Sequence, residues 1–171
     1  RYEILSGHRR KRACELTGIK TLRAEIVEMS RDEAVIFMVD SNLQRTTILP
    51  SEKAFSYRMR LEAMKRQGER TDLTSTPVVS KLRTNEVLGE KVGESREQIR
   101  RYIRLTELIP EMLSLVDEGK IALRPAVEIS YFPRSLQESL FESMEIEQCS
   151  PSHAQTLKMK RMFEEGKLTP E

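Results

Sequence analysis

The chain is poor in the residues that announce most chemistries. Among its 171 residues there are no Trp, two Cys and two His, and aromatics make up 5%. Cys14 and Cys149 form no CxxC pair and no metal-ligand spacing. Two isolated thiols in a charged chain suit a reducing cytoplasm. His8 and His153 stand in no Cys or carboxylate arrangement for zinc. No Ser/His/Asp or Cys/His pattern supports nucleophilic catalysis. No apolar run approaches ~18 residues, so a transmembrane helix is excluded and no membrane partner is expected. No signal peptide is visible at this end. The chain starts at Arg1 rather than Met and is expected to be a fragment of a longer protein, with strands upstream and a dimerising part beyond Glu171. Charge of one sign is also scarce. Twenty-nine Lys and Arg against 27 Asp and Glu leave +2, so any nucleic-acid binding has to come from local clustering, at Arg9–Arg12 and between Arg96 and Arg104.

What is present divides the chain. Tyr2–Leu5 reads as a short strand and Arg9–Thr17 as a helix stopped by Gly18. Thr21–Val27 alternates Leu22, Ala24 and Ile26 with polar residues, the pattern of a half-buried strand. Ser30-Arg-Asp-Glu33 is a capping box for a helix towards Gln44. Pro50–Ser51 opens another helix to about Gln67, with Phe55, Met59 and Leu61/Ala63 as its apolar side. Residues 68–83, rich in Thr, Ser and Pro, read as a linker or ordered loop. Helices are then expected at Thr84–Val92, Ser95–Leu108, Pro110–Glu118, Arg124–Tyr131, Ser135–Glu145 and Pro151–Glu165. The expected class is α+β: a small α/β part over 1–67, then an all-α domain over 84–171.

Thr84–Leu105 has the parts of a helix-turn-helix over 84–108. Gly89 permits a close helix crossing, and Gly93 permits a positive φ in the turn. Leu88, Val92, Ile99 and Tyr102/Ile103 face a shared core, and Ser95-Arg-Glu-Gln98 caps the second helix. That helix carries Arg96, Arg100 and Arg104 at i, i+4 and i+8, with Arg101 beside them. A major groove offers guanine acceptors and phosphates to such guanidiniums, which makes Ser95, Arg96, Gln98, Arg100, Arg101 and Arg104 the candidate DNA contacts. The bland alternative is a solvated helix pair whose arginines are matched by Glu94, Glu97 and Glu107.

A second motif, Ser6-Gly-His-Arg-Arg-Lys-Arg-Ala13, follows the first expected strand and opens a helix. Cations in a first turn oppose the helix dipole unless an anion sits there. Taken alone, a solvated basic turn explains it equally well. Here a resemblance adds weight. The GHRRKRA run is similar to the GERRxRA box of the ParB/RepB partition family, and Asp40-Ser-Asn-Leu-Gln-Arg45 to that family's ENxQR box. The helix-turn-helix follows in the family's order, then Glu118-Gly-Lys-Ile121 resembles its EGK-type turn. The resemblance implies binding to palindromic centromere-like double-stranded DNA, a ParA-type ATPase partner, a homodimer, a cytoplasmic place on nucleoid or plasmid, and CTP with Mg²⁺ as ligands. It implies nucleotide contacts from Gly7, His8, Arg9, Arg10, Asn42, Gln44 and Arg45, with Asn42 towards Mg²⁺.

The chain departs from that pattern in four places. His8 and Ser41 stand where the family usually has Glu, and fewer carboxylates weaken Mg²⁺ binding. CTP hydrolysis is therefore not expected. The 68–80 stretch is longer than usual. Leu123-Arg-Pro-Ala126 replaces a Gly-His-Ala-Arg run, leaving Arg124 as a phosphate contact. The rival functions are a CTP-hydrolysing clamp enzyme and a transcriptional regulator using the same reader without partition.

Overall fold

The computed structural model describes residues 2–45, 47–71 and 94–168, with backbone alone from 67 to 71. Eight helices run through these residues: α1 His8–Thr17, α2 Arg31–Leu43, α3 Pro50–Thr71, α4 Arg96–Leu105, α5 Pro110–Asp117, α6 Leu123–Ile129, α7 Arg134–Glu147 and α8 His153–Glu164. The expected first helix of the helix-turn-helix, with Gly89 and Gly93, lies outside the described residues.

Among the described residues there is no strand, so the α/β expectation for residues 1–67 is corrected to a helical one. Tyr2–Leu5 and Thr21–Val27 are irregular. Alternation tells which side chains a strand would bury, but a strand exists only when neighbouring backbone completes its ladder. None does here.

Local signals set the helix ends. Ser30 Oγ accepts from Glu33 N (3.3 Å) and Ser30 N donates to Glu33 Oε2 (2.7 Å), closing the capping box of α2. Gly18 ends α1 at φ 74. Pro50 opens α3, and its next exposed amide, Ser51 N, is capped from α5 by Asp117 Oδ1 at 2.8 Å, while Ser51 Oγ donates to Asp117 Oδ2.

α3 is the central element. It packs against α2 on one side and against α4 and α5 on the other. Its buried stripe is Ala54, Tyr57, Arg60 and Ala63, whereas Phe55 and Met59, expected inside, are 47% and 40% exposed. The reason is Arg60. Its guanidinium is 2% exposed and meets Asp40 of α2 at 2.5 Å, so a charged residue occupies a core position. Nearer the other end of the antiparallel pair, Arg66 Nε meets Asp32 Oδ1 at 2.8 Å.

The main core lies on the C-terminal side: Leu105, Leu108, Ile109, Met112, Val116, Ile121, Ala126, Ile129, Phe132, Leu136 and Met144, joined by Ala54. Buried Gln137 knits it. Its Oε1 accepts from Ile109 N (2.9 Å), and its Nε2 donates to Phe132 O (3.0 Å) and Glu107 O (3.3 Å). A satisfied amide costs little inside, whereas its loss leaves three backbone groups without it.

Truncating Asp40 strands a buried guanidinium. Asp40→Ala is expected to cost about 3 kcal/mol, at the low end for a broken buried pair because Asp40 itself is 35% exposed. Arg60→Met added to it should restore most of that loss, as read from denaturant midpoints.

Candidate nucleic-acid interface and anion-binding turn

α4 is set by its cap and by its apolar side. Ser95 Oγ accepts from Gln98 N at 3.2 Å. Ile99 and Leu105 are fully buried, and Tyr57 of α3 packs on Ile99 with Tyr102 and Ile103 half-buried alongside. Tyr57 and Tyr102 meet edge to face at 5.9 Å. Because this side of α4 is held, the opposite side is presented to solvent in a fixed orientation.

That outward side carries Ser95, Glu97 and Arg100 exposed, with Arg96, Gln98, Arg101 and Arg104 half-buried. The acids expected to neutralise it are mostly engaged elsewhere. Glu94 takes Lys53 of α3 at 2.7 Å, and Glu107 takes Arg58 of α3 at 3.3 Å, with Arg58 also bonding Thr106. Glu97 pairs within α4 itself, with Arg101, loosely at 3.8 Å. Arg100 has no ion pair among the described residues.

The expected row of three arginines is not uniform. Arg104 bends towards the end of α6: Nε donates to Ser130 Oγ (3.1 Å) and Nη2 to Ser130 O (2.6 Å), with the guanidinium 4.2 Å from the Tyr131 ring centroid. Arg124 is exposed in the first turn of α6, where Pro125, missing only an amide that α6 leaves unbonded anyway, is buried.

The N-terminal box starts at Gly7, which caps α1 at φ 92 without a side-chain bond. That conformation suits Gly and leaves the first-turn amides uncapped. His8, Arg9 and Arg10 are exposed. Lys11 and Arg12 pair with Glu15, while no acid lies within ion-pair distance of Arg9 or Arg10 among the described residues. The second box reaches the first through a Ser6 Oγ–Ser41 Oγ hydrogen bond of 3.0 Å. The box then splits. Asp40 points to Arg60, Asn42 is half-buried, Gln44 caps α2, and Arg45 lines a separate cleft of about 290 Å³ with Lys53, Tyr57 and Glu94. That cleft lies between the second box and the cap of the reader helix.

Arg60, Lys53, Tyr131 and Gln137 carried no sequence signal as functional or supporting residues. Each acts through a partner far along the chain, and Lys53 and Glu94 are 41 residues apart.

The ParB HTH domain family model matches residues 78–165. The stage 0 sporulation protein J of Bacillus subtilis is 30% identical over 122 residues, covering 71% of this chain and 37% of that protein. The probable chromosome 1-partitioning protein ParB of Deinococcus radiodurans is 28% identical over 160 residues, covering 94% and 49%. The chain thus spans half or less of the length of these curated relatives. The C-terminally truncated chromosome-partitioning protein ParB from Caulobacter crescentus, solved in complex with the centromeric parS site, shares the fold at a TM-score of 0.53 with 24% identity, over 94% of this chain and 74% of that one.

The contact between α3 and the residue before the reader's cap predicts an alkaline weakness. The hydrogen bond to Glu94 raises the Lys53 pKa, and burial, then Glu94, pushes the Tyr57 phenol well above its usual value. The unfolded chain loses these protons near pH 10.5 and 10.0, and the folded chain holds them longer. Stability from both is therefore complete below about pH 10 and is lost as pH rises through the raised values. Unfolding midpoints should fall above pH 10, and Tyr57→Phe with Lys53→Met should flatten that fall.

Proposed function

Because this chain belongs to the ParB helix-turn-helix domain family, we propose that it is a sequence-specific DNA-binding protein of chromosome or plasmid partition, which reads a palindromic centromere-like site in double-stranded DNA through α4. The observation that carries this reading is the exposed Arg100, without an ion pair among the described residues, on a helix whose flanking acids, Glu94 and Glu107, are engaged by α3. A chain with net charge +2 thereby keeps one locally basic face. Ser95, Arg96 and Gln98, at the N-terminal end of α4, take the base edges. Arg100, Arg101 and Arg124 take bases or phosphates. A palindromic site requires a two-fold partner, which makes a homodimer the working assembly. A ParA-type ATPase partner and a cytoplasmic place on nucleoid or plasmid follow from the family.

The Ser6–Ser41 contact supports a second role, binding of a nucleotide triphosphate, CTP by family resemblance, which gates a clamp on DNA. Gly7, His8, Arg9 and Arg10 would hold phosphates at the start of α1, with Asn42, Gln44 and Arg45 from the second box. These side chains fit an anion better than Mg²⁺. The Asp40 carboxylate is occupied by Arg60, and the Ser41 hydroxyl by Ser6, so the box is left with the neutral amide oxygens of Asn42 and Gln44 for a metal that favours carboxylates. Binding without hydrolysis is the reading these residues support.

Arg100→Ala should weaken binding to a selected site and lower the slope of log affinity against log salt by about one unit if its contact is a phosphate. Unchanged affinity and slope would remove α4 as the reader. Arg9→Ala should abolish CTP binding, measured by calorimetry, while site-specific DNA binding persists. A genome-wide occupancy map with a few spreading clusters supports partition, whereas scattered promoter sites point to a transcriptional regulator.

A further inference from the structure

Arg104 of α4 is held in place by residues at the end of α6. Two of its nitrogens bond Ser130, and its plane lies 4.2 Å from the Tyr131 ring centroid. The same ring takes Lys160 of α8, whose Nζ lies 4.7 Å from the centroid. Lys160 is in turn bonded to Glu128 of α6 at 2.8 Å. One half-exposed tyrosine therefore joins the reader helix to α6 and α8. The ring is 51% exposed, so it contributes little to the core. Cation–π contact is its main interaction.

We propose that Tyr131 is a positioning residue for DNA binding: its ring preorders the Arg104 guanidinium so that the Nη1 edge, which makes no hydrogen bond among the described residues, meets a backbone phosphate flanking the groove read by α4. A free arginine loses rotamer freedom on binding. Arg104 has already lost it to Ser130 and Tyr131, so its phosphate contact costs less ordering. Arg104 follows Arg100 by one turn on the same side of α4, which places the clamp beside the reader without requiring it to touch bases. Lys160, neutralised by Glu128, braces the ring from α8.

This inference rests on the reading of α4 as the DNA-binding helix. Its test uses the full chain and a duplex recovered by selection from a random library. Affinity and salt slope are measured for Arg100→Ala, Arg104→Ala, Tyr131→Leu, Tyr131→Phe and the Arg104→Ala/Tyr131→Leu pair. Tyr131→Leu should weaken binding by up to about tenfold, the scale of the ordering cost of one long side chain, and lower the slope by up to one unit. Tyr131→Phe keeps the ring and should match the parent. The double variant should bind no worse than Arg104→Ala alone, because the ring acts through that arginine. Parental affinity in Tyr131→Leu, or equal damage in Tyr131→Phe, overturns the proposal. If Arg100→Ala also leaves binding intact, the reading of α4 itself is at fault. If Arg100→Ala weakens binding while Tyr131→Leu does not, only the positioning role is lost. Should Tyr131→Leu lower the thermal midpoint substantially, Tyr131→Phe and the Arg104→Ala slope decide.

Discussion

A guanidinium taken out of water must be paired, and the Arg60–Asp40 contact does this at the centre of the molecule. Arg60 sits on α3, between α2, which carries the start of the second box, and α4, the proposed reader. Its pairing fixes the rotation of α3 against α2. On its other side α3 presents Tyr57 to Ile99 and Tyr102 on the apolar side of α4. With that side held, Arg100 lies exposed. Asp117 capping α3 and Gln137 bonding three backbone groups complete the frame around it.

Charge is managed by the same element. The chain is nearly neutral overall, and a reader helix flanked by Glu94, Glu97 and Glu107 would present little net potential if left to itself. α3 supplies Lys53 and Arg58 to two of those acids. The exposed Arg58–Glu107 pair adds little stability, whereas Lys53–Glu94 is part-buried. Their effect is on the field: carboxylates already paired with lysine or arginine no longer oppose phosphate approach to α4. The same logic governs the N-terminal turn, where Lys11 and Arg12 are matched by Glu15 while Arg9 and Arg10 are not matched by any acid among the described residues.

The cleft beside Arg45 links the two halves of this arrangement. Its walls come from the end of the second box, from α3 and from Glu94, the residue before the reader's cap. A ligand that moved Arg45 or Lys53 would act on the start of α4 within one layer of side chains. The two proposed activities, anion binding and DNA reading, therefore share α3 as their common wall.

Short-range signals were legible in the sequence. The Ser30–Glu33 box, the Ser95 cap, the Gly18 stop and the apolar positions Ile99, Tyr102 and Ile103 all concern residues within four of one another, where helix geometry alone sets the outcome. The two strand readings failed because alternation is local but a ladder is not. The apolar side of α3 was misread because its register is set by a charged residue whose partner is on another helix. Sequence by itself determined, to within two residues, where the described helices begin, the order of the boxes and which helix carries the arginines. Only the tertiary structure decided which acids are silenced and where Arg104 points, because each of those outcomes depends on a partner tens of residues away.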